Sequence, residues 1–451
     1  MLIINGSLIT YEKPNRILAD HAMWIKDGLI ADIGPQTKLV SEHPDDEIVD
    51  AQGRYIMPGN ICAHTHFYSA YSRGMALAGS PPQNFTEILQ KLWWPLDRAL
   101  DKSTTYYSAM VSLIDAIKHG TTTLFDHHAS PNFVNGSLDT IAEAVRTSGL
   151  RASLSYEVTD RNGLDGTKSG IEENLRFIRN LHGNNPQHLL TASFGLHASL
   201  TLSESTLKLV REAIPGGTGI HIHVAEDMAD QYDSLAKYGE RVIDRLVRHN
   251  LLVPNSILAH GVHLDNKEIE QLRSAQVYLT HQPRSNMNNA VGLGDVESVL
   301  RSGVKVCLGN DGFSNSMWEE WKTAYLGQRL WHRDNQRLGG YDLYRIAIEN
   351  NAELATNSFG IKIGELATGF AADLIFVDYH PFTPFSADNF PWHVVFGFHD
   401  SFITDTMVHG KFLMRDRKLS FIDEAKITQE AFGHAAEVWA RYQKNMASGG
   451  Q

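Results

Sequence analysis

The sequence predicts an α/β protein: a (β/α)8 TIM-like barrel accompanied by a small β-sandwich domain. Between residues 60 and 357, eight short apolar runs alternate with longer amphipathic stretches. Such runs are typical of buried parallel strands joined by helices. Strand-like segments also occur at both ends of the chain. No Gly-x-Gly-x-x-Gly loop follows the first run, which disfavours the alternative of an open doubly wound sheet.

The two ends of the chain are predicted to pair in one domain. Strand-like segments cover residues 2–10, 22–26, 28–33 and 47–50, and similar segments return at 374–377, 402–408 and 411–415. We therefore predict that residues 1–57 and 361–421 form the β-sandwich domain. Residues 424–444 are predicted to be helical, which makes residues 422–451 a C-terminal helix and tail.

The eight central runs define a predicted barrel domain, residues 58–360. They cover residues 60–67, 121–127, 152–158, 189–197, 219–226, 256–264, 277–283 and 304–311. In a barrel of this kind the active groups lie at the carboxyl ends of the strands. The residues at those ends therefore carry the functional prediction.

The composition excludes several classes of function. The 451 residues carry a formal net charge of −12, whereas nucleic-acid and anionic-membrane surfaces need clustered Lys and Arg. No apolar run approaches the ~18 residues of a membrane span, and the N-terminus lacks a basic, cleavable export signal. Two cysteines, Cys62 and Cys307, are too few for a disulfide framework. We expect a cytoplasmic protein that acts on a small molecule.

Histidine is abundant, with 22 residues, and several of them lie at predicted strand ends. His64 and His66 end the first run, and alternate residues of a strand point to the same side. His223 lies near the end of the fifth run, His260 in the sixth, and Asp311 at the end of the eighth. Imidazoles and a carboxylate gathered in this way suit one divalent ion, most simply Zn2+, with Fe2+ or Mn2+ as alternatives.

Several motifs together resemble the amidohydrolase superfamily. They are MPGNICAHTH (57–66), GTTT (120–123), HVAE (223–226), QPRSN (282–286) and GFAADL (369–374). The resemblance covers nearly the whole chain. Within the superfamily the chain is similar to guanine, cytosine and triazine deaminases, and it most resembles the aminohydrolases associated with selenium metabolism.

This resemblance implies roles for six residues. His64, His66, His223 and Asp311 would bind the metal, and Asp311 would also take a proton from the water bound there. Glu226 would pass a proton to a ring nitrogen. His260 would polarise the substituent on the attacked carbon or orient the water. The resemblance also implies a homodimer or a larger homo-oligomer.

The chemistry of deamination demands the same groups independently. Replacing an aromatic amino group needs a nucleophile at neutral pH, which a metal-bound water supplies. A ring nitrogen must also be protonated during attack, which requires a carboxyl group that is not a ligand. The zinc nucleobase deaminases, which have a different fold, likewise use a zinc-bound water as the nucleophile and a glutamate that is not a ligand as the acid and base. Glu226 meets this need, the alternative being a carboxylate at a helix N-terminus.

Two histidines at other strand ends are predicted to line the substrate pocket. His197 ends the fourth run, where binuclear members of the superfamily have a lysine. The lack of a lysine there favours a single metal. His197 either contacts the substrate or supports a residue that does. His127 lies within Asp126-His127-His128 at the end of the second run. Hydrogen bonding to a ligand or substrate contact is a better interpretation of it than a second metal site.

Four further residues are weaker candidates for substrate binding. Trp93 and Trp94 follow the first run, and they either stack on a flat heterocycle or pack a helix onto the barrel. Arg73 and Arg284 lie near the ends of runs one and seven. They either hold an anionic or oxo group of the ligand or form surface salt bridges.

The resulting hypothesis is metal-dependent hydrolytic deamination of a purine- or pyrimidine-like N-heterocycle, with release of ammonia. Two alternatives use the same site: opening of a cyclic amide in a purine-catabolism intermediate, and hydrolytic dehalogenation or dealkylamination of a triazine-like ring. A third is a metal-bearing binding or scaffold protein without turnover, which the presence of every expected ligand and of the acid disfavours.

Overall fold

The computed structural model describes residues 1–181, 185 and 187–447, and the predicted tail at 448–451 lies outside the described residues. The strands in the described part of the chain are β1 (Leu2–Ile9), β2 (Ile17–Lys26), β3 (Leu29–Pro35), β4 (Ile48–Asp50), β5 (Tyr55–Pro58), β6 (Asn60–Thr65), β7 (Thr121–His128), β8 (Arg151–Tyr156), β9 (Leu190–Ala192), β10 (Phe194–Ala198), β11 (Ile220–Val224), β12 (Ile257–His260), β13 (Tyr278–His281), β14 (Lys305–Leu308), β15 (Leu374–Val377), β16 (Ile403–Val408), β17 (Lys411–Arg415) and β18 (Lys418–Leu419).

Helices follow most of the central strands. The α-helices of the described residues are α1 (Gln36–Glu42), α2 (Phe85–Ile88), α3 (Trp94–Asp97), α4 (Lys102–Lys118), α5 (Ser137–Ser148), α6 (Gly163–Leu181), α7 (Glu204–Ala213), α8 (Met228–Tyr238), α9 (Val242–Arg248), α10 (Asn266–Ala275), α11 (Pro283–Asn288), α12 (Val296–Arg301), α13 (Met317–His332), α14 (Gly340–Tyr344), α15 (Asn350–Phe359), α16 (Phe390–Phe396) and α17 (Glu424–Ala447). Short 3-10 turns lie at Phe67–Ser72, Asp160–Asn162, Ser199–Thr201 and Asp400–Phe402, and π turns at Leu89–Trp93 and Arg345–Glu349.

The central strands form two parallel sheets, which confirms the predicted α/β class. One sheet has the order β6-β7-β8-β9 and the other the order β10-β11-β12-β13-β14. Isolated parallel bridges connect them at both edges, Thr65 with Asp311 and Val158 with Leu196. Because all these strands are parallel, their carboxyl ends lie at the same end of the assembly.

Each of the eight predicted runs contains a strand, and the fourth contains two. β9 pairs with β8, whereas β10 pairs with β11. The chain therefore changes from one sheet to the other at Ser193, in the middle of one predicted run. The sequence pattern joins the two segments in a single run, although residues 191–192 are only partly buried and β10 is buried throughout.

Strands from the two ends of the chain form one mixed sheet, with the order β18-β17-β16-β15-β5-β1-β2-β3 and with β4 beside β1. The connection between the two halves is β5, a strand that the sequence pattern leaves unassigned. It pairs in parallel with β1 and antiparallel with β15. Both halves contribute to one apolar core, formed by Ile3, Leu8, Met23, Ile25, Ile30, Val49, Ala51, Ile56, Leu366, Ala372, Leu374, Phe376 and Met407.

A buried ion pair fastens this mixed sheet to the parallel strands. The guanidinium of Arg151, at the start of β8, donates to both carboxylate oxygens of Asp373, at 2.5 and 3.1 Å. Arg151 is fully buried, and Asp373 is 3% exposed. Asp373 also accepts a hydrogen bond from the backbone N–H of His409, in the β16–β17 turn. One carboxylate thus connects three segments that are distant in sequence.

Membrane insertion through a helix finds no support in the structure. Across residues 1–181, 185 and 187–447, no helix combines the length and the apolar character that crossing a bilayer requires.

We predict that Arg151→Met lowers the free energy of unfolding by about 3–5 kcal/mol, because it leaves the Asp373 carboxylate buried without its cation. Urea unfolding followed by circular dichroism measures the change. Arg248→Met is the matched control, since Arg248 is 43% exposed where it pairs with Glu240 at 2.7 Å. Its loss is expected to cost about 1 kcal/mol or less. Equal losses in the two variants would contradict the role given to the buried pair.

Candidate active site

Three of the predicted metal ligands and His260 converge at the carboxyl ends of the parallel strands. His64 is in β6, His223 in β11 and His260 ends β12, while Asp311 follows β14. One nitrogen or oxygen from each of these four residues lies within 4.8 Å of the others. Gly309 permits this convergence, because a Cβ at that position would lie 2.8 Å from the backbone N and O of His64. β14 can therefore approach β6 closely enough for the Asp311 N–H to donate to the His64 carbonyl at 3.1 Å.

Backbone carbonyls fix the tautomers of two ligands. The Nδ1 of His66 donates to the carbonyl of His127 at 2.5 Å, and the Nδ1 of His223 donates to the carbonyl of His197 at 2.8 Å. A carbonyl can only accept, so each ring presents its Nε2 to the centre of the site. These two Nε2 atoms lie 3.1 Å apart. Two neutral rings so placed would oppose their lone pairs, so the arrangement requires a positive charge between or upon them.

Asp311 supplies the negative charge that complements this cation. Its Oδ1 lies 3.0 Å from the Nε2 of His66 and 3.6 Å from the Nε2 of His64. Burial opposes protonation of His66, but the hydrogen bond and charge of Asp311 outweigh burial and raise the pKa of His66 to about 9. A bound metal ion would displace that proton, as metal binding to imidazoles does in general.

The donor atoms fit one divalent ion. Donors around a tetrahedral zinc lie about 3.4 Å apart when its bonds are 2.0–2.2 Å long, close to the separations given above. The Nε2 of His64 is buried and has no hydrogen-bond partner. Burial lowers the pKa of His64 to about 3 and that of His223 well below its usual range, so both rings are neutral donors. The structure therefore brings together His64, His66, His223 and Asp311, all four predicted ligands.

The outer faces of the ligands are also held. The Nδ1 of His64 lies 2.8 Å from the Nε2 of His221. The Oδ2 of Asp311 accepts a short hydrogen bond from the hydroxyl of Ser285. Burial would raise the pKa of Asp311, but its contacts with His64 and His66 and the positive charge of His66 keep that pKa well below its usual value. Asp311 is thus an anion that can serve as a ligand.

Glu226 and His260 form a second, smaller group beside these ligands. The Oε2 of Glu226 lies 3.4 Å from the Nε2 of His260, and its Oε1 accepts from the side-chain amide of Asn289 at 3.2 Å. Burial raises the pKa of Glu226 to about 6. Glu226 is outside both sets of residues whose geometry suits a metal ion, whereas His260 belongs to one of them. The carboxyl group is thus close to the metal site and free to exchange a proton.

The backbone is strained at three positions around this group. His260 has a φ of 75°, Asp311 of 57° and Ala225 of 47°, values that residues with a Cβ seldom adopt. Such strain tends to cluster at functional sites, where the surrounding structure must hold it. Here the strained residues lie at the carboxyl ends of β11, β12 and β14, beside the candidate metal ligands.

A pocket opens onto these residues, and its lining contains both aromatic and charged side chains. Its lining includes His66, His223, Glu226, His260 and Asp311, together with Tyr68, Phe85, Leu89, Trp93, Trp94, Asp97, Glu157, Arg161, His197, Ala198, Leu200, Asp230 and Asn289. The predicted pocket residues His197, Trp93 and Trp94 are therefore all present. A flat heterocycle could stack against the aromatic side chains.

The two candidate arginines are not in this pocket. Both line a neighbouring cavity of about 680 Å³ that also reaches Asp311. Arg73 is exposed. All five N–H donors of Arg284 are engaged, by the side chains of Glu319, Glu320 and Ser314 and by the carbonyls of residues 314 and 316. Of the two interpretations of Arg284, the structure therefore favours the salt bridge, because no N–H of the guanidinium is left to bind a ligand.

His127 lies behind the ligands instead of on the pocket wall. Its ring stacks on that of His221, with centroids 4.5 Å apart, and its carbonyl orients His66. Both ring nitrogens are buried without hydrogen-bond partners. Together with His64, His66 and His223 it forms the second set of four donors within 4.8 Å of one another. Its neighbour His128 instead contacts the hydroxyl of Ser130, at 2.8 Å.

Sequence reasoning missed four charged residues of the pocket: Glu157, Asp97, Arg161 and Asp230. Glu157 directly follows β8, so the same rule of strand ends could have found it. Its Oε1 lies 3.4 Å from the Nδ1 of His66, and burial raises its pKa to about 7. Asp97 ends helix α3, Arg161 lies in the 3-10 turn Asp160–Asn162, and the two side chains pair at 2.8 Å. No local pattern marks either of them, because their proximity is purely tertiary.

Comparison with known proteins gives consistent results over the whole chain. The model described as "Amidohydrolase family" matches residues 55–413. The chain is 32% identical to a 5'-deoxyadenosine deaminase of Methanosarcina mazei, over 98% of this chain and 99% of that protein. It is 31% identical to a 5-methylthioadenosine/S-adenosylhomocysteine deaminase of Pelotomaculum thermopropionicum, with 96% and 97% covered.

A solved structure shares the fold. An adenosine deaminase from Xanthomonas campestris with bound zinc superposes with a TM-score of 0.84 at 22% identity, over 97% of this chain and 98% of that one. At that identity the likeness establishes the common fold and no more.

We predict that the purified protein binds one divalent ion per chain at high affinity and that His223→Ala reduces the occupancy to below about a tenth, because an Nε2 donor is lost. Elemental analysis after dialysis with zinc measures the occupancy. His128→Ala is the control, since His128 is equally buried in a strand and contacts Ser130. A full complement of metal in the His223 variant would contradict the assignment.

Proposed function

The chain belongs to the amidohydrolase family, and from that premise we propose that it hydrolytically removes the 6-amino group of a 5'-substituted adenosine, with release of ammonia. The prediction of a hydrolase that deaminates a purine-like ring is confirmed by the relatives, which are deaminases of adenosine derivatives. We propose in addition that the substrate is a 5'-substituted nucleoside. The substrates in the names of these relatives support this.

One observation carries the chemistry: an unliganded carboxyl group stands beside the proposed metal site and faces the same pocket. Glu226 has its pKa raised to about 6 by burial, so it exchanges protons near neutral pH. An amino group on an aromatic ring leaves only if a ring nitrogen is protonated as the attacked carbon becomes tetrahedral. Glu226 can supply that proton without leaving the metal short of a ligand.

We assign the proposed metal to His64, His66, His223 and Asp311. When bound there it would lower the pKa of a coordinated water toward ~7 and so provide a nucleophile at neutral pH. Zinc is the ion we propose, because nitrogen and oxygen donors suit it and because zinc is bound in the structurally similar adenosine deaminase.

The residues around the metal would then divide the proton transfers. Asp311, held as an anion, would accept a proton from the attacking water. Glu226 would donate to the ring nitrogen next to the attacked carbon and later help to protonate the departing amine. His260 has its Nδ1 2.8 Å from the Oδ1 of Asn286, which leaves its Nε2 to hydrogen-bond the oxygen or nitrogen on the attacked carbon.

The charged pair Asp97 and Arg161 in the pocket favours a nucleoside over a free base as the substrate. One oxygen of Asp97 accepts from Arg161 at 2.8 Å, but its other oxygen and the Nη1 of Arg161 are buried without partners. Such groups cost free energy unless a ligand pairs with them. A ribose diol offers both a donor and an acceptor, and its adenine ring could stack beside Trp94, whose indole also lies 4.9 Å from the Arg161 guanidinium.

We also propose the larger architecture on which this site depends. The two parallel sheets and their bridges would form one closed (β/α)8 barrel, residues 58–360. The mixed sheet would fold over its shared core as the predicted β-sandwich of residues 1–57 and 361–421. Residues 422–451 would be the C-terminal helix and tail. The fold shared with the adenosine deaminase supports this division.

We also propose a cytoplasmic location and a homo-oligomeric assembly. Both cysteines are buried and unpaired, which fits the reducing cytoplasm. Exposed apolar side chains on three neighbouring helices fit the homodimer or larger homo-oligomer implied by the family resemblance: Leu330 on α13, Tyr341 on α14 and Phe396 on α16.

The proposal is tested by measuring ammonia release from 5'-deoxyadenosine, 5-methylthioadenosine and S-adenosylhomocysteine by the zinc-loaded protein. We expect turnover with loss of the 6-amino group and formation of no new carboxylate. Glu226→Gln is expected to lower kcat by about 10²–10⁴, the usual contribution of a positioned acid–base group, and to retain the metal. Asp311→Asn is expected to abolish turnover.

Two outcomes would contradict this assignment. A fully active Glu226→Gln variant would exclude the proton-transfer role. Products with a new carboxylate, or activity confined to halogenated triazines, would establish the ring-opening or dehalogenation alternatives.

The proposed contact of Asp97 with the ribose diol gives a separate prediction. We expect the wild type to prefer 5'-deoxyadenosine to 2',3',5'-trideoxyadenosine by about 10–100-fold in kcat/KM, the value of hydrogen bonds to charged groups. Asp97→Asn is expected to remove most of this preference, because it weakens the acceptor for the diol and leaves the site of attack intact. Initial rates by ultraviolet absorbance measure both ratios. An unchanged preference in the variant would show that the diol binds elsewhere.

A further inference from the structure

The C-terminal helix α17 packs against one wall of the pocket. The residues of that wall are distant from α17 in sequence. We call residues 67–101 the wall segment, because it supplies Tyr68, Phe85, Leu89, Trp93, Trp94 and Asp97 to the pocket lining. We infer that Tyr442 and Trp439 of α17 are positioning residues, which hold the wall segment in the conformation that binds the substrate.

Hydrogen bonds from α17 reach the backbone of the wall segment at several points. The hydroxyl of Tyr442 donates to the carbonyl of Lys91 at 2.6 Å and accepts from the N–H of Ala78 at 3.2 Å. The indole N–H of Trp439 donates to the carbonyl of Tyr71 at 2.9 Å. One phenol therefore joins two parts of the segment that are 13 positions apart, and the indole fixes a third.

Apolar packing accompanies these bonds. Tyr442 and Val438 are fully buried in a cluster with Leu96 and Leu100, and Trp93 packs against its edge. The cluster lies directly under the residues that face the pocket. A shift of α17 would therefore move the pocket wall and leave the strand ends with the proposed metal ligands in place.

The bond to Lys91 has a particular geometric consequence. Lys91 lies in the π turn Leu89–Trp93, a wide helical turn that is stable only where its environment supports it. Relaxation of this turn to an α-helix would rotate the following side chains by about 100°, the angle of one residue. Trp93 and Trp94 would then no longer face the ligand together. The phenol of Tyr442 holds the carbonyl in the middle of this turn.

The test is Tyr442→Phe in the zinc-loaded, full-length protein, which removes the hydroxyl and keeps the ring in the cluster. We expect KM for 5'-deoxyadenosine to rise about three- to tenfold, the effect of losing one or two ordinary hydrogen bonds, with kcat within twofold and metal content unchanged. Hydrogen exchange by mass spectrometry is expected to speed up in peptides covering residues 78–95 and to stay unchanged in β11–β14. Trp439→Phe, which removes the indole donor, is expected to act in the same direction.

Tyr344→Phe is the matched control, because the Tyr344 hydroxyl is buried without a hydrogen-bond partner and its ring packs on Tyr11 and Phe390, away from the pocket. It is expected to change neither KM nor exchange in the wall segment. The inference would be overturned by unchanged KM and exchange in Tyr442→Phe, or by a loss of metal or of protection throughout β11–β14. The inference rests on the proposed function only for the choice of substrate. If wild-type protein deaminates no adenosine derivative, the exchange measurement still decides it.

Discussion

The site depends on two imidazole nitrogens that face each other. Because the carbonyls of His127 and His197 take up the Nδ1 protons of His66 and His223, the two Nε2 atoms are left 3.1 Å apart in a buried space. This pairing is unfavourable for neutral rings and favourable around a cation. The carbonyls belong to strands neighbouring those of the ligands, so the register of the parallel sheets sets the tautomers. The fold thereby prepares the electrostatics of the site before any ligand is bound.

The elements that sequence reasoning predicted well are those with a local signal. The eight apolar runs each contain a strand, and the residues at their carboxyl ends converge because parallel strands share a direction. What it missed is set by tertiary contacts. The break at Ser193 lies inside one predicted run, and β5 is recognisable only once β1 and β15 lie on either side of it. The pairing of Asp97 with Arg161, and the engagement of every donor of Arg284, likewise depend on helices and turns that are distant in sequence and meet only in the folded chain.

The two sides of the pocket have different structural origins. The proposed metal ligands, Glu226 and His260 lie at or just beyond strand ends, where the ladders of β11–β14 restrict movement. The opposite side comes from short helices and turns of the wall segment, supported by α17. Substitutions in the wall segment or in α17 can thus alter which ring is bound while the reacting groups keep their geometry.

The pairing of β5 with β15 has a consequence for how the protein is made. Residues 55–58 pair with residues 374–377, so the mixed sheet cannot be completed until more than three hundred further residues have been synthesised. Contacts of such long sequence separation form slowly. The parallel strands in between emerge earlier and can fold first, while one edge of β5 stays unpaired and open to other chains. Biosynthesis therefore has a vulnerable interval that ends when Asp373 reaches Arg151, which places protection from aggregation late in translation.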